Sequence, residues 1–161
     1  MVLAALILSA ALLAIGPVAI ATGRSSHCRI IVYGASLIFS AALVLLALAS
    51  LFAPPSTISL PLGLPWLGAH FRLDALSAFF LAVVNLGGAA ASLYAIGFGA
   101  HETAPMRVLP FYPAFLAGMS LVVLADDAFS FLVSWEFMSL TSWALVMAHH
   151  RVGDNMRAGY V

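Results

Sequence analysis

The sequence predicts an all-α, polytopic transmembrane helix bundle, and three observations carry that prediction. Hydrophobic residues make up 64% of the 161 positions and charged residues only 7%, against roughly 45–50% and about 25% in ordinary globular domains. The apolar residues are gathered into long runs separated by short polar punctuation. No period-2 alternation of the kind a membrane barrel needs extends along the chain. A bilayer is the solvent such a composition suits, and in hydrocarbon each segment must satisfy its own backbone hydrogen bonds, which selects helices.

A spanning helix needs about 20 predominantly apolar residues, and five segments qualify: Val2 to Ala21, Ile30 to Phe52, Ala75 to Phe98, Leu109 to Ala125 and Phe129 to Ala148. The first differs from a secretory signal, because its start, MVLAALILSA, lacks a basic leader and its apolar run is too long. Arginines Arg24, Arg29, Arg107, Arg151 and Arg157 fall on one side of the expected membrane and only Arg72 on the other. Short cytoplasmic loops are rich in Lys and Arg, so the N terminus is expected to be external. Between the second and third spans, the external loop of residues 53–73 has four prolines and short alternating patches, consistent with a small hairpin or with a plain connector. Residues 1–161 read as one membrane domain. After the polar Gly153, Asp154 and Asn155, the run MRAGYV resembles the first turns of a sixth helix, as expected of the N-terminal part of a longer subunit.

Several chemistries find no support in the residues. Six arginines balance six acids and lysine is absent, so nothing favours nucleic acid as a partner. Cys28 is the single cysteine, and no grouping of His and Cys has metal-ligand spacing, which argues against a cysteine-bound cluster or structural zinc. Nucleotide, dinucleotide, serine-hydrolase and zinc-protease motifs are missing, so no catalytic set and no cofactor is expected. Asp126 and Asp127 read as caps at the start of the last span, where acids meet the positive end of the helix dipole. His149 and His150 are neighbours about 100° apart on a helix, a poor arrangement for one metal. His70 and His101 read as solvated loop residues.

Glu136 stands apart from these. It lies roughly 10–12 Å along the fifth span, where a carboxylate costs about 2.5–3.5 kcal/mol. It is therefore expected to face the protein interior and to have a function. Ser139 and Trp143 share its face and Trp135 adjoins it, while Thr141 lies away. Two readings compete: a protonated Glu136 that fastens helices together, or a carboxyl that exchanges protons as a basic partner approaches and withdraws. With no lysine and no mid-membrane arginine in the chain, a permanent cationic partner must come from elsewhere. An intramembrane hydrolase using Ser139 beside Glu136 is disfavoured, because a carboxylate without a histidine or lysine rarely activates serine.

The run ADDAFSFLVSWEFMSLTSWALV, residues 125–146, resembles the fifth-helix region of the antiporter-like subunits shared by respiratory complex I, Mrp-type sodium/proton antiporters and group 4 membrane-bound hydrogenases. The likeness lies in the aromatic approach, the Trp135–Glu136 pair and the Ser-Leu-x-Ser at 139–142. A second run, FRLDALSAFFLAVVNLGGAAASLYAIGF at 71–98, is similar to that family's third helix. The phrasing MSLTSW is nearest to the branch formed by the membrane subunits of hydrogenase 4 and formate hydrogenlyase. The resemblance implies that Glu136 is the proton-translocating residue, paired in that family with a lysine two helices later. It also implies a subunit of an inner (plasma) membrane complex, partnered by other membrane and hydrophilic-arm subunits, that binds no redox cofactor itself. The alternative is a truncated, non-pumping scaffold or assembly subunit.

Overall fold

The computed structural model describes residues 1–22, 28–63, 68–98 and 105–149. The helices are α1 (Val2–Thr22), α2 (Cys28–Ser50), α3 (Ala75–Phe98), the short α4 (Pro105–Val108), α5 (Phe111–Leu124) and α6 (Ala128–Val146), followed by a 3-10 turn at Met147–His149. Strands β1 (Ser56–Leu60) and β2 (Ala69–Leu73) lie between α2 and α3. Five of the helical segments are long and apolar enough to cross a membrane, the fourth being Met106–Leu124. The chain is an all-α polytopic membrane bundle.

The fourth span differs in detail from the expectation of one run from Leu109 to Ala125. A turn at Leu109 and Pro110 separates the single-turn α4 from the 14-residue α5. Proline supplies no N–H for the preceding turn, which explains the break. At the same point α1 approaches closely: a methyl group on Gly16 would lie 2.8 Å from the Pro110 carbonyl oxygen. Glycine is what permits that contact between backbones.

Helix α1 packs against α2 and α5, α2 packs extensively on α3, and α3 also touches α5. Leu12, Val32, Leu43, Leu81 and Leu124 are fully enclosed where these helices meet. Ile38, Leu45, Leu86 and Leu93 point outward, which is stable where the surroundings are lipid tails as apolar as the side chains. Small residues set the closest approaches, as is usual between membrane helices. A methyl on Gly118 would meet the Met138 Cα at 3.1 Å. Helix α6 packs on α5, with contacts also to α4 and β2, and so stands at one flank of the bundle.

Strands β1 and β2 form an antiparallel hairpin in the register Ser56↔Leu73 to Leu60↔Ala69. Ile58 and Leu60 share one face with Phe71 and Ala69, and Ala69, Phe71 and Leu73 are buried on it. Alternation puts His70 and Arg72 on the other face. The hairpin thus lays an apolar face over one end of the bundle. Val2 N–H donates to Ser56 Oγ at 3.2 Å, tying the start of α1 to the same end.

Candidate functional site

The start of α6 is positioned by a network that joins it to the hairpin. Asp127 is its N-cap: Oδ1 accepts from the Ser130 N–H at 2.8 Å and Oδ2 from the Ser130 hydroxyl at 2.6 Å. Oδ2 also accepts the His70 N–H at 2.8 Å, and the Asp126 N–H donates back to the His70 carbonyl at 2.9 Å. Phe71 and Ala125 form an isolated antiparallel bridge alongside. Strand β2 thereby staples the α5–α6 corner. Hydrogen bonds from Ser130, with those from His70 and Phe129, outweigh the cost of burial and hold the Asp127 carboxyl down at about 2.

Capping is therefore the role of Asp127 but not of Asp126, whose carboxylate faces Arg72 at 3.9 Å. Arg72 also meets Asp74 at 3.1 Å. Asp74 caps α3, exchanging hydrogen bonds with Ser77 in both directions at 2.8 and 2.9 Å. The backbone bond from Ser77 is the main reason its carboxyl lies below the ordinary range. Arg72, Asp74, Ser77 and Asp126 form the polar mouth of a cavity of about 340 Å³ whose lower wall includes Phe80 and Phe131. His70, expected in a loop, is instead a half-exposed member of β2 with its Nδ1 3.7 Å from Asp127 Oδ2. His101, His150, Arg24, Arg151 and Arg157 lie outside the described residues, as does the run after Gly153.

Glu136 is the ninth residue of α6, about 12 Å along its axis. Its burial departs from expectation: Glu136, Trp135, Ser139 and Trp143 are all exposed, and the face turned toward α5 carries Ser134 and Thr141. The reason is the geometry of the flank. Gly118 of α5 admits Met138 and Phe137, and a helix held by that side turns Glu136 away from α5. Among the described residues no ion pair or hydrogen bond reaches the Glu136 carboxylate. Ser139 and Trp143 instead edge an open groove of about 560 Å³ between α5 and α6, which Met119 and Met138 also line. Trp135 rests on Phe131 with ring centroids 5.7 Å apart.

A second polar group lies in the bundle centre and was not anticipated by the sequence reading. Asn85 of α3, buried, donates from Nδ2 to Ser120 Oγ of α5 at 3.0 Å. Ser92 Oγ and the Tyr112 hydroxyl lie 2.7 Å apart. The available signal was an amide in the otherwise apolar run AVVNLGG.

No family model matches the chain. Over 106 residues it is 35% identical to an uncharacterised protein of Mycobacterium tuberculosis, a match covering 64% of this chain and 16% of that protein. Over 79 residues it is 38% identical to the hydrogenase-4 component B of Escherichia coli, covering 48% of this chain and 12% of that one. To the NADH-quinone oxidoreductase subunit L of Mycobacterium tuberculosis it is 31% identical over 75 residues, covering 47% and 12%. The chain thus spans only a small part of the length of the relatives it matches. These partial likenesses support the antiporter-like membrane subunit family. They agree with the five apolar helices in describing a multi-pass membrane protein.

Proposed function

We propose that this chain acts within a proton-translocating, antiporter-like membrane subunit of a redox-driven complex of the hydrogenase 4 or NADH-quinone oxidoreductase type, in the inner (plasma) membrane. The observation that carries this reading is Glu136, a carboxyl well inside a membrane helix, on a face that the described helices leave open. A carboxyl held there against a cost of about 2.5–3.5 kcal/mol argues for a role in moving charge. The relatives named as hydrogenase and NADH-quinone oxidoreductase subunits support the same direction.

In this reading Glu136 takes up a proton when its surroundings are apolar and gives it up when a cation approaches the open face of α6. The chain contains no lysine, so the cation belongs to another element of the complex. Asp127 and the hairpin fix where α6 starts, and Gly118 sets the face it turns to α5. Electron transfer in a hydrophilic arm supplies the driving force.

The test is Glu136→Gln in membrane vesicles that hold the assembled complex. Substrate-driven proton uptake is expected to be lost while the complex still assembles, as judged by native electrophoresis. Unchanged proton uptake would remove Glu136 from the pathway, and failed assembly with normal pumping in the residual complex would favour the scaffold reading instead.

A further inference from the structure

Two serines of α2 depart from the behaviour of most buried hydroxyls in the bundle. Ser9, Ser50, Ser92, Ser120 and Thr141 each donate to the carbonyl four residues back, at 2.7–3.1 Å. Ser36 Oγ and Ser40 Oγ, each fully enclosed, have no hydrogen-bond partner among the described residues. Across the helix pair, Asn85 Oδ1 is in the same condition, since its amide hydrogens go to the Leu81 carbonyl and to Ser120 while its oxygen meets no donor. Two hydroxyls free to donate and an oxygen able to accept therefore lie in one region of the core.

Their placement is continuous. A methyl on Gly88 would lie 3.0 Å from Leu116 Cδ2 and 3.3 Å from Ser40 Oγ, so this hydroxyl faces α3 beside the Leu116 side chain, one turn from Asn85. Ser36 lies one turn further along the same face of α2. On α3, Gly88 is followed one turn later by Ser92, and the Gly88 carbonyl accepts from both Ser92 Oγ at 2.7 Å and the Tyr112 hydroxyl at 3.2 Å. Asn85 and Ser92 are about 10 Å apart along the helix. The polar groups thus form a seam from the middle of the spans toward the end opposite the hairpin. It is separate from Glu136, which lies on the far flank of α6.

Polar atoms left unpaired in hydrocarbon are costly, and apolar neighbours here cannot pair them. Water can, because it donates and accepts at once and is held where two to four polar partners converge. We propose that the α2–α3–α5 seam is a water-binding site, in which internal water bridges Ser40 to Asn85 Oδ1 and further water on the Ser92 and Tyr112 side pairs Ser36.

Substituted cysteines test this in membrane vesicles carrying the full protein. With Cys28→Ser as background, Ser36→Cys and Ser40→Cys are compared with Leu12→Cys, a fully enclosed position on α1. Silver ion, little larger than water, is the probe, and blocked thiols are read by later labelling of the unfolded chain. The two serine positions are expected to react about ten-fold faster or more than Leu12→Cys, because a thiol sealed in apolar surroundings does not ionise. Adding Asn85→Leu is expected to slow the Ser40→Cys reaction toward the Leu12→Cys rate. Should that variant fail to accumulate, the comparison of the three cysteines stands alone. Equal, slow reaction at all three would overturn the proposal and leave a dry seam; equal, fast reaction at all three would overturn it by showing a loosened bundle.

Discussion

Asp127 and Arg72 show how differently two charged residues at one corner contribute. The Asp127 carboxylate accepts from the Ser130 N–H, the Ser130 hydroxyl and the His70 N–H, serving as helix cap and as anchor for β2 at once. Asp127→Ala is expected to cost about 2 kcal/mol, seen as a lowered midpoint of unfolding in detergent. Arg72, nearly half exposed in its pairs with Asp74 and Asp126, is expected on Arg72→Ala to change stability by less than about 1 kcal/mol. A similar loss in both variants would contradict the assignment. Acid separates them too. A carboxyl drawn from 3.8 to about 2 stabilises the fold while ionised, so its contribution is complete above about pH 4 and is lost as the pH falls through about 2. In Asp127→Asn that part of the acid dependence is expected to disappear, which a stability profile from pH 5 to pH 2 would measure.

At the level of elements, helix pairs are spaced by single glycines. Gly118 lets α6 approach α5 until a methyl there would stand 3.1 Å from the Met138 Cα and 3.2 Å from the Phe137 ring. Gly118→Leu must push α6 outward, with an expected cost of roughly 1–3 kcal/mol. Cysteine pairs placed across the α5–α6 contact should cross-link less readily in this variant, and an unchanged yield would show that α6 is held by the corner alone. The hairpin is the other element that positions α6: the Phe129 ring occupies the space above Gly63, whose positive φ of 87° suits glycine. Gly63→Ala is therefore unfavourable in both backbone and space. Elements that look like connectors in the sequence thus determine where the fifth span starts.

Across the whole molecule, the decisive feature is which helix face is left open. Helix α6 is buried over a smaller share of its apolar window, 17%, than the Met106–Leu124 span at 50%, and Glu136 lies on its open side. A bilayer around the isolated 161-residue chain would bring lipid against that carboxyl. A hydrophobic carbodiimide, which modifies protonated carboxyls from within the lipid, is expected to label Glu136 in nanodiscs and to spare Asp74, Asp126 and Asp127 at the polar end. Glu136→Gln should abolish the labelling. If the reagent found the aspartates instead, Glu136 would not be a lipid-accessible acid in this chain.

Composition and the lengths of the apolar runs determined the solvent, the fold class and the five spans, because crossing hydrocarbon imposes a length and a hydropathy that each segment must meet by itself. The singular position of Glu136 was also legible, since a carboxylate in such a run stands out without knowledge of any neighbour. What lay beyond reach was relational. The helical period grouped Glu136, Ser139 and Trp143 on one face and set Thr141 apart, but which face met α5 depended on Gly118, a residue of another helix. Likewise, nothing local placed Ser40 beside Gly88 of another helix; only the packing of α2 on α3 did so. Membrane segments declare their span individually through transfer energy, whereas orientation and pairing depend on close packing between segments, and that was decided only by the tertiary structure.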